Sequence, residues 1–180
     1  MKKELQQIIE IPEGVEVKLE EGFLIVKGKE GENSREFKIG KLKLEKKENQ
    51  IIIGYEKSTK REKKMINTIT AHIKNMIKGV QEKFEYKLKI CFSHFPMTVQ
   101  IDGNKAIIKN FLGEKISREA RIPERVEINI EKDIIKITSL DKELAGQAAA
   151  NFETATKIRS HDRRVFQDGI FIINKAGKEI

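Results

Sequence analysis

The chain has 180 residues, 38% of them hydrophobic, and 36 Lys and Arg stand against 28 Asp and Glu, giving a formal charge of +8 and a pI near 9.4. A chain of this length makes one domain or two small ones, and its apolar content excludes a disordered tail. The positive balance favours polyanionic partners such as nucleic acid, although a solvated surface rich in Lys and Glu produces the same surplus.

The residues from Met1 to Gly14 start basic but turn acidic and amide-rich before a long apolar segment develops, so a signal peptide is not expected. No stretch approaches membrane-spanning length, and a cytoplasmic chain without a membrane partner is expected. Val15, Val17 and Leu19 make one face of a first strand. Phe23 to Val26 is continuously apolar and reads as a strand buried on both sides, with Gly22 and Gly28 marking its ends. A helix is expected from Ser58 or Thr59 to about Gly79, with Ser58 as cap and Ile66, Ile69, Ile73, Ile77 and Val80 on its core face. Its cations Lys60, Arg61, Lys63, Lys64, Lys74 and Lys78 lie largely elsewhere and suit solvation better than RNA contact.

Phe84, Tyr86, Leu88, Ile90 and Phe92 alternate as a strand, and the single cysteine, Cys91, falls inside that run. A buried, inert thiol in a reducing compartment is expected there. Val99 to Ile101 and Ala106 to Ile108 flank the hairpin signal Asp102-Gly103-Asn104. Val126, Ile128 and Ile130 alternate next, followed by Ile134, Ile135 and Ile137. A second helix starts near Asp141, with Leu144, Ala148, Phe152 and Ala155 on its buried side and further alanines keeping it slim. Small residues raise helix propensity and let a helix approach a sheet, so no cofactor is implied by that run.

The two halves repeat one another. Ile11-Pro12 and Phe95-Pro96 are each followed by Val15 or Val99 and then Val17 or Ile101. Val26-Lys27 matches Ile108-Lys109, Ser34-Arg35-Glu36 matches Ser117-Arg118-Glu119, and Leu44-Glu45-Lys46 matches Ile130-Glu131-Lys132. In both halves several short strands precede one helix, an order that argues α+β with mainly antiparallel sheet. The expected fold is two homologous repeats, residues 1–92 and 93–180, each with one main helix around its own core.

After the second helix come Lys157, Arg159, His161, Arg163 and Arg164, opposed only by Asp162. Arginine's planar donors suit bidentate contact with phosphate, so this cluster is the candidate RNA-binding segment. A solvated helix end, complementing the helix dipole, is the competing reading. Phe166, Phe171 and Ile173 around the Asp168-Gly169 turn read as core. His72, His94 and His161 form with Cys91 no set at metal-ligand spacing, so no metal is expected. No phosphate-loop or dinucleotide fingerprint is present, and neither Ser34 nor Ser117 has a histidine at suitable spacing, which leaves no basis for an enzyme or a cofactor.

Three segments then carry a family likeness: Ser93-His94-Phe95-Pro96-Met97-Thr98-Val99, Asn75-Met76-Ile77-Lys78-Gly79-Val80 and Arg163-Arg164-Val165-Phe166-Gln167-Asp168-Gly169-Ile170. In this order, on a duplicated chain, they resemble the large-subunit ribosomal protein L6 family in its archaeal and eukaryotic form. The resemblance implies a structural constituent of the large subunit near the stalk base and the sarcin-ricin loop. It also implies large-subunit rRNA and neighbouring ribosomal proteins as partners, translational GTPases nearby, and a second domain that makes most of the RNA contacts. By position, Lys157, Arg159, His161, Arg163 and Arg164 are the contacts it implies, with Lys175 and Lys178 in a polar tail added to them. A basic protein-interaction module without a specific RNA target is the alternative.

Overall fold

Short segments of period-two alternation, each closed by a turn, can bury one face only by pairing side by side and covering that face with a helix. The computed structural model, which describes residues 3–20, 22–159 and 161–180, realises this arrangement twice. Its compact units are Met1–Lys83 and Phe84–Ile180.

In the first unit, β1 (Lys3–Glu10), β6 (Gln50–Ser58) and β5 (Lys43–Lys47) form one antiparallel sheet in that order. β2 (Glu16–Glu20), β3 (Phe23–Gly28) and β4 (Gly31–Glu36) form another. Helix α1 (Lys60–Gln81) packs on strands of both sheets. Its expected face is buried in full: Ile66, Ile73 and Val80 are sealed from solvent, and Ile69 and Ile77 nearly so. Each such side chain stabilises the fold by about 1.5–3 kcal/mol relative to an exposed one. The cap is Thr59 rather than Ser58. Thr59 Oγ1 accepts from the Arg61 amide, and the Glu62 carboxylate accepts from the Thr59 amide at 2.9 Å, a reciprocal box that satisfies the first turn. Ser58 instead donates to the Tyr55 carbonyl.

The second unit repeats the plan strand for strand. β7 (Phe84–Cys91), β12 (Ile134–Ser139) and β11 (Glu127–Glu131) stand in the relation of β1, β6 and β5. β8 (Thr98–Asp102), β9 (Lys105–Lys109) and β10 (Arg118–Arg121) stand in that of β2, β3 and β4. Helix α2 (Lys142–Ala155), capped by Asp141, packs on β7, β10, β12 and β13. Beyond the repeat, β13 (Gly169–Lys175) adds to the far side of β7 and β14 (Lys178–Glu179) adds to β13. The α+β class with two homologous repeats is therefore what the chain adopts.

The expected boundary between residues 92 and 93 moves to between Lys83 and Phe84. β7 is the second copy of β1 and the middle strand of its unit's larger sheet, with Phe84, Tyr86, Leu88 and Ile90 buried there. The reading of β3 as buried on both sides is also corrected. Leu24 and Val26 are sealed, while Phe23 is 41% exposed, because only one face of the three-stranded sheet is covered by α1. On α2 the sealed residues are Ala145, Ala148, Ala149 and Phe152, a stripe rotated slightly from the expected one.

The helix C-termini show how the copies diverge. In the first unit the turn after β3 lies against α1: the Glu30 amide donates to the Val80 carbonyl at 2.9 Å, and a Cβ at Gly28 would fall 2.8 Å from that same oxygen. Gly28 is there for close approach, not merely as punctuation. In the second unit residues 110–117 replace that tight turn, and a side chain, Arg118, takes over the end of α2.

Candidate nucleic-acid interface

A helix end leaves carbonyl groups without partners, and α2 carries no basic residue in its last turn. Arg118 supplies the missing donors from β10. One guanidinium nitrogen donates to the Ala155 carbonyl at 2.9 Å and to the Lys157 carbonyl at 3.3 Å. The rest of the fork donates to both Glu114 carboxylate oxygens, at 2.8 and 2.6 Å, and those bonds hold the Glu114 carboxyl below its ordinary pKa. The guanidinium also lies 4.2 Å from the centre of the Phe111 ring. The doubled Ser-Arg-Glu motif is thus structural in this copy, and it fixes the chain where the basic segment begins.

Thr156 continues the anchoring. Its buried hydroxyl donates to the Phe152 carbonyl and accepts from the Ile170 amide, tying the end of α2 to the start of β13. Between those points the segment turns around Asp162, whose carboxylate accepts from the Arg164 amide at 2.9 Å and whose carbonyl accepts from the Val165 and Phe166 amides. Asp162, the one opposing charge in the sequence cluster, therefore organises the turn. Its ion pair with Arg164 is long, 3.6 Å, and solvent-exposed.

Lys157, Arg159, His161, Arg163 and Arg164 are all exposed on this segment, so the structure brings these five expected residues together. Among the described residues, Lys157, Arg159 and Arg163 carry no ion pair. His161 donates through Nδ1 to the Arg159 carbonyl and presents an edge-on contact to Phe166 at 4.7 Å. Lys175 and Lys178, also exposed, do not join this group. Gly169 pairs with Cys91 and Lys175 with Tyr86, at opposite ends of β7, so at about 3.3 Å per residue Lys175 lies roughly 20 Å along the strand from Gly169. Lys178 pairs with Lys175 at that far end.

Sequence reasoning missed what holds the segment down. Asp168, read as a turn residue, is 2% exposed and gathers four bonds. It accepts from the Ser93 and His94 amides at 2.7 and 3.1 Å, from the Ser93 hydroxyl at 3.2 Å, and from His94 Nδ1 at 2.6 Å. Burial alone would raise its pKa, but the His94 ring and the two amides prevail and hold the carboxyl at about 2. An ionised carboxylate only accepts, so Nδ1 of His94 carries the hydrogen of that bond. The Ser93 hydroxyl lies 3.1 Å from the same Nδ1, not beside Nε2, so these three side chains do not form a nucleophile relay.

The His94 ring stacks on Phe166 at 4.6 Å with 22° between planes. Phe166 is accordingly half-buried in a local aromatic stack rather than in the core. Phe171 is 38% exposed, which corrects its core assignment: alternation along β13 buries Ile170 and turns Phe171 outward. Cys91 is half-buried rather than sealed and faces a cleft that Phe166 and Phe171 also line. Among the described residues there is no group of His, Cys, Asp or Glu arranged to hold a metal, and no helix is long and apolar enough to cross a membrane.

The family model described as ribosomal protein L6 matches the chain twice, over residues 11–83 and 95–169, one match for each unit. The protein named large ribosomal subunit protein uL6 from Methanobrevibacter smithii is 44% identical, over 95% of this chain and 96% of its own length. Its namesakes from Methanosarcina mazei, 43% identical over 98% of this chain and 100% of its own length, and Nanoarchaeum equitans, 45% identical over 96% and 94%, agree with it. These relatives are archaeal and are named as ribosomal proteins, not as enzymes. With a repeated strand order, two single-helix cores and a doubled family match, the chain belongs to the ribosomal protein L6 family.

Proposed function

We propose that the chain is a structural constituent of the large ribosomal subunit in the cytoplasm and binds large-subunit rRNA through the segment after α2. The observation that carries this is a group of exposed cations, Lys157, Arg159, His161, Arg163 and Arg164, on a segment pinned at Arg118, Thr156 and Asp168. Pinning matters because a loop already ordered loses less entropy when it binds. Exposed cations on it neutralise phosphates and read folded RNA by shape rather than by base sequence. Lys175 and Lys178 form a second, separate phosphate contact at the far end of β13. In this reading, which membership of the L6 family supports, the site lies near the stalk base and the sarcin-ricin loop, beside neighbouring ribosomal proteins and the surface on which translational GTPases dock.

Two measurements test this reading. In a sedimented lysate the chain should travel with large subunits and stay with them in high salt. Replacing Arg159, Arg163 and Arg164 by Ala should weaken binding to large-subunit rRNA and reduce the slope of log K against log salt by about 2 to 3. An unchanged affinity and slope would remove the site assignment, and a protein partner without rRNA protection in footprinting would favour the interaction-module alternative.

A further inference from the structure

Beside the basic segment of the second unit lies a cleft of about 750 Å³. Its size falls in the range of roughly 300–1,000 Å³ typical of sites that accept a small ligand. Phe171 stands in its lining with more than a third of its surface open, and Gly169 leaves room for its ring, since a Cβ there would meet that ring at 3.1 Å. Phe166 lines another part, but the His94 ring lies against one of its faces, so it serves as wall rather than platform. Lys157 and Arg163 are exposed cations in the same lining, and Thr154 and Gln167 add a hydroxyl and an amide. The acids there are unequal. Asp168 is spent on Ser93 and His94, which leaves Glu153 as the single exposed carboxylate against two cations.

An open aromatic face accepts any nucleobase, because every base has a π-face, whereas paired bases in an A-form helix remain stacked and out of reach. Cations at the mouth then suit the phosphate that accompanies an extruded base. We propose that this cleft receives one unstacked nucleotide from a bulge or loop of the bound RNA. Its base rests on Phe171, its phosphate lies between Lys157 and Arg163, and Thr154 and Gln167 are within the lining to meet the base edge. This inference rests on the RNA-binding reading above and adds to it a preference for interrupted over continuous helices.

The test uses the full chain and two RNA hairpins of identical stem, one fully paired and one carrying a single bulged 2-aminopurine. The bulged hairpin should bind about tenfold more tightly, and Phe171→Ala should abolish that preference while leaving the paired stem's affinity unchanged. The probe's emission should change on binding the native chain and not on binding the variant. Joint replacement of Lys157 and Arg163 by Ala should weaken both hairpins. Equal affinities for the native chain, or a preference that survives Phe171→Ala, would overturn the nucleotide cleft while the RNA-binding reading stands. Failure of the native chain to bind either hairpin would overturn the nucleotide cleft, and loss of co-sedimentation with large subunits as well would overturn the RNA-binding reading.

Discussion

His94 Nδ1 donates to Asp168 Oδ2 at 2.6 Å, a bond between residues 74 positions apart that joins the chain just after β7 to the residue just before β13. The same carboxylate takes the Ser93 and His94 amides, so one buried charge organises both strand ends. Asp168→Asn preserves shape but sets an amide donor against groups that are themselves donors. It should lower the stability of the second unit by about 2–4 kcal/mol. Denaturant melts with hydrogen exchange at β7 and β13 would measure this, and unaltered exchange at both strands would refute it.

The depressed pKa of Asp168 sets the sign of an acid effect. Its folded value, about 2, lies below the ordinary 3.8, so its contribution is fully present above pH 4 and is lost as the pH falls through 2. The difference corresponds to about 2 kcal/mol. Stability of the native chain should therefore fall across that window, and Asp168→Asn should flatten that part of the curve. Parallel pH profiles for the two proteins would show that other carboxylates dominate.

Arg118 closes the C-terminal end of α2 with donors that no residue of the helix supplies. Arg118→Ala should cost about 1–3 kcal/mol and leave Glu114 and the Ala155 and Lys157 carbonyls without the donors it supplies. Arg118→Lys should recover little, because a single ammonium cannot serve two carbonyls and two carboxylate oxygens in one plane. Amide exchange at residues 155–158 should rise in both variants, and RNA affinity should fall more steeply in salt-matched titrations than stability alone explains.

The basic residues fall into two groups at opposite ends of β13. Sites this far apart without shared partners act independently. Arg163→Ala with Arg164→Ala, and Lys175→Ala with Lys178→Ala, should each weaken rRNA binding, and their free-energy costs should add within about 0.5 kcal/mol. Strong non-additivity in the fourfold variant would mean that the two groups hold one RNA element.

Periodicity and order are properties of the chain read along its length, and these the sequence determined. The isoleucine stripe of α1, the alternating strands, the start of the second helix near Asp141 and the doubled plan were legible because each depends on residues a few positions apart or on comparison of the two halves. The start of the second repeat was not, since Phe84 to Cys91 shares with Lys3 to Glu10 a place in the sheet rather than a motif. Nor does alternation say whether Phe171 on β13 faces in or out, because that depends on which side of the sheet α2 covers. The clustering of Lys157 to Arg164 was visible as charge, but its anchoring by Arg118 and Asp168, and the separation of Lys175 and Lys178 from it, were decided by tertiary structure. Contacts between residues tens of positions apart leave no local pattern, and only the folded chain brings their donors and acceptors within reach.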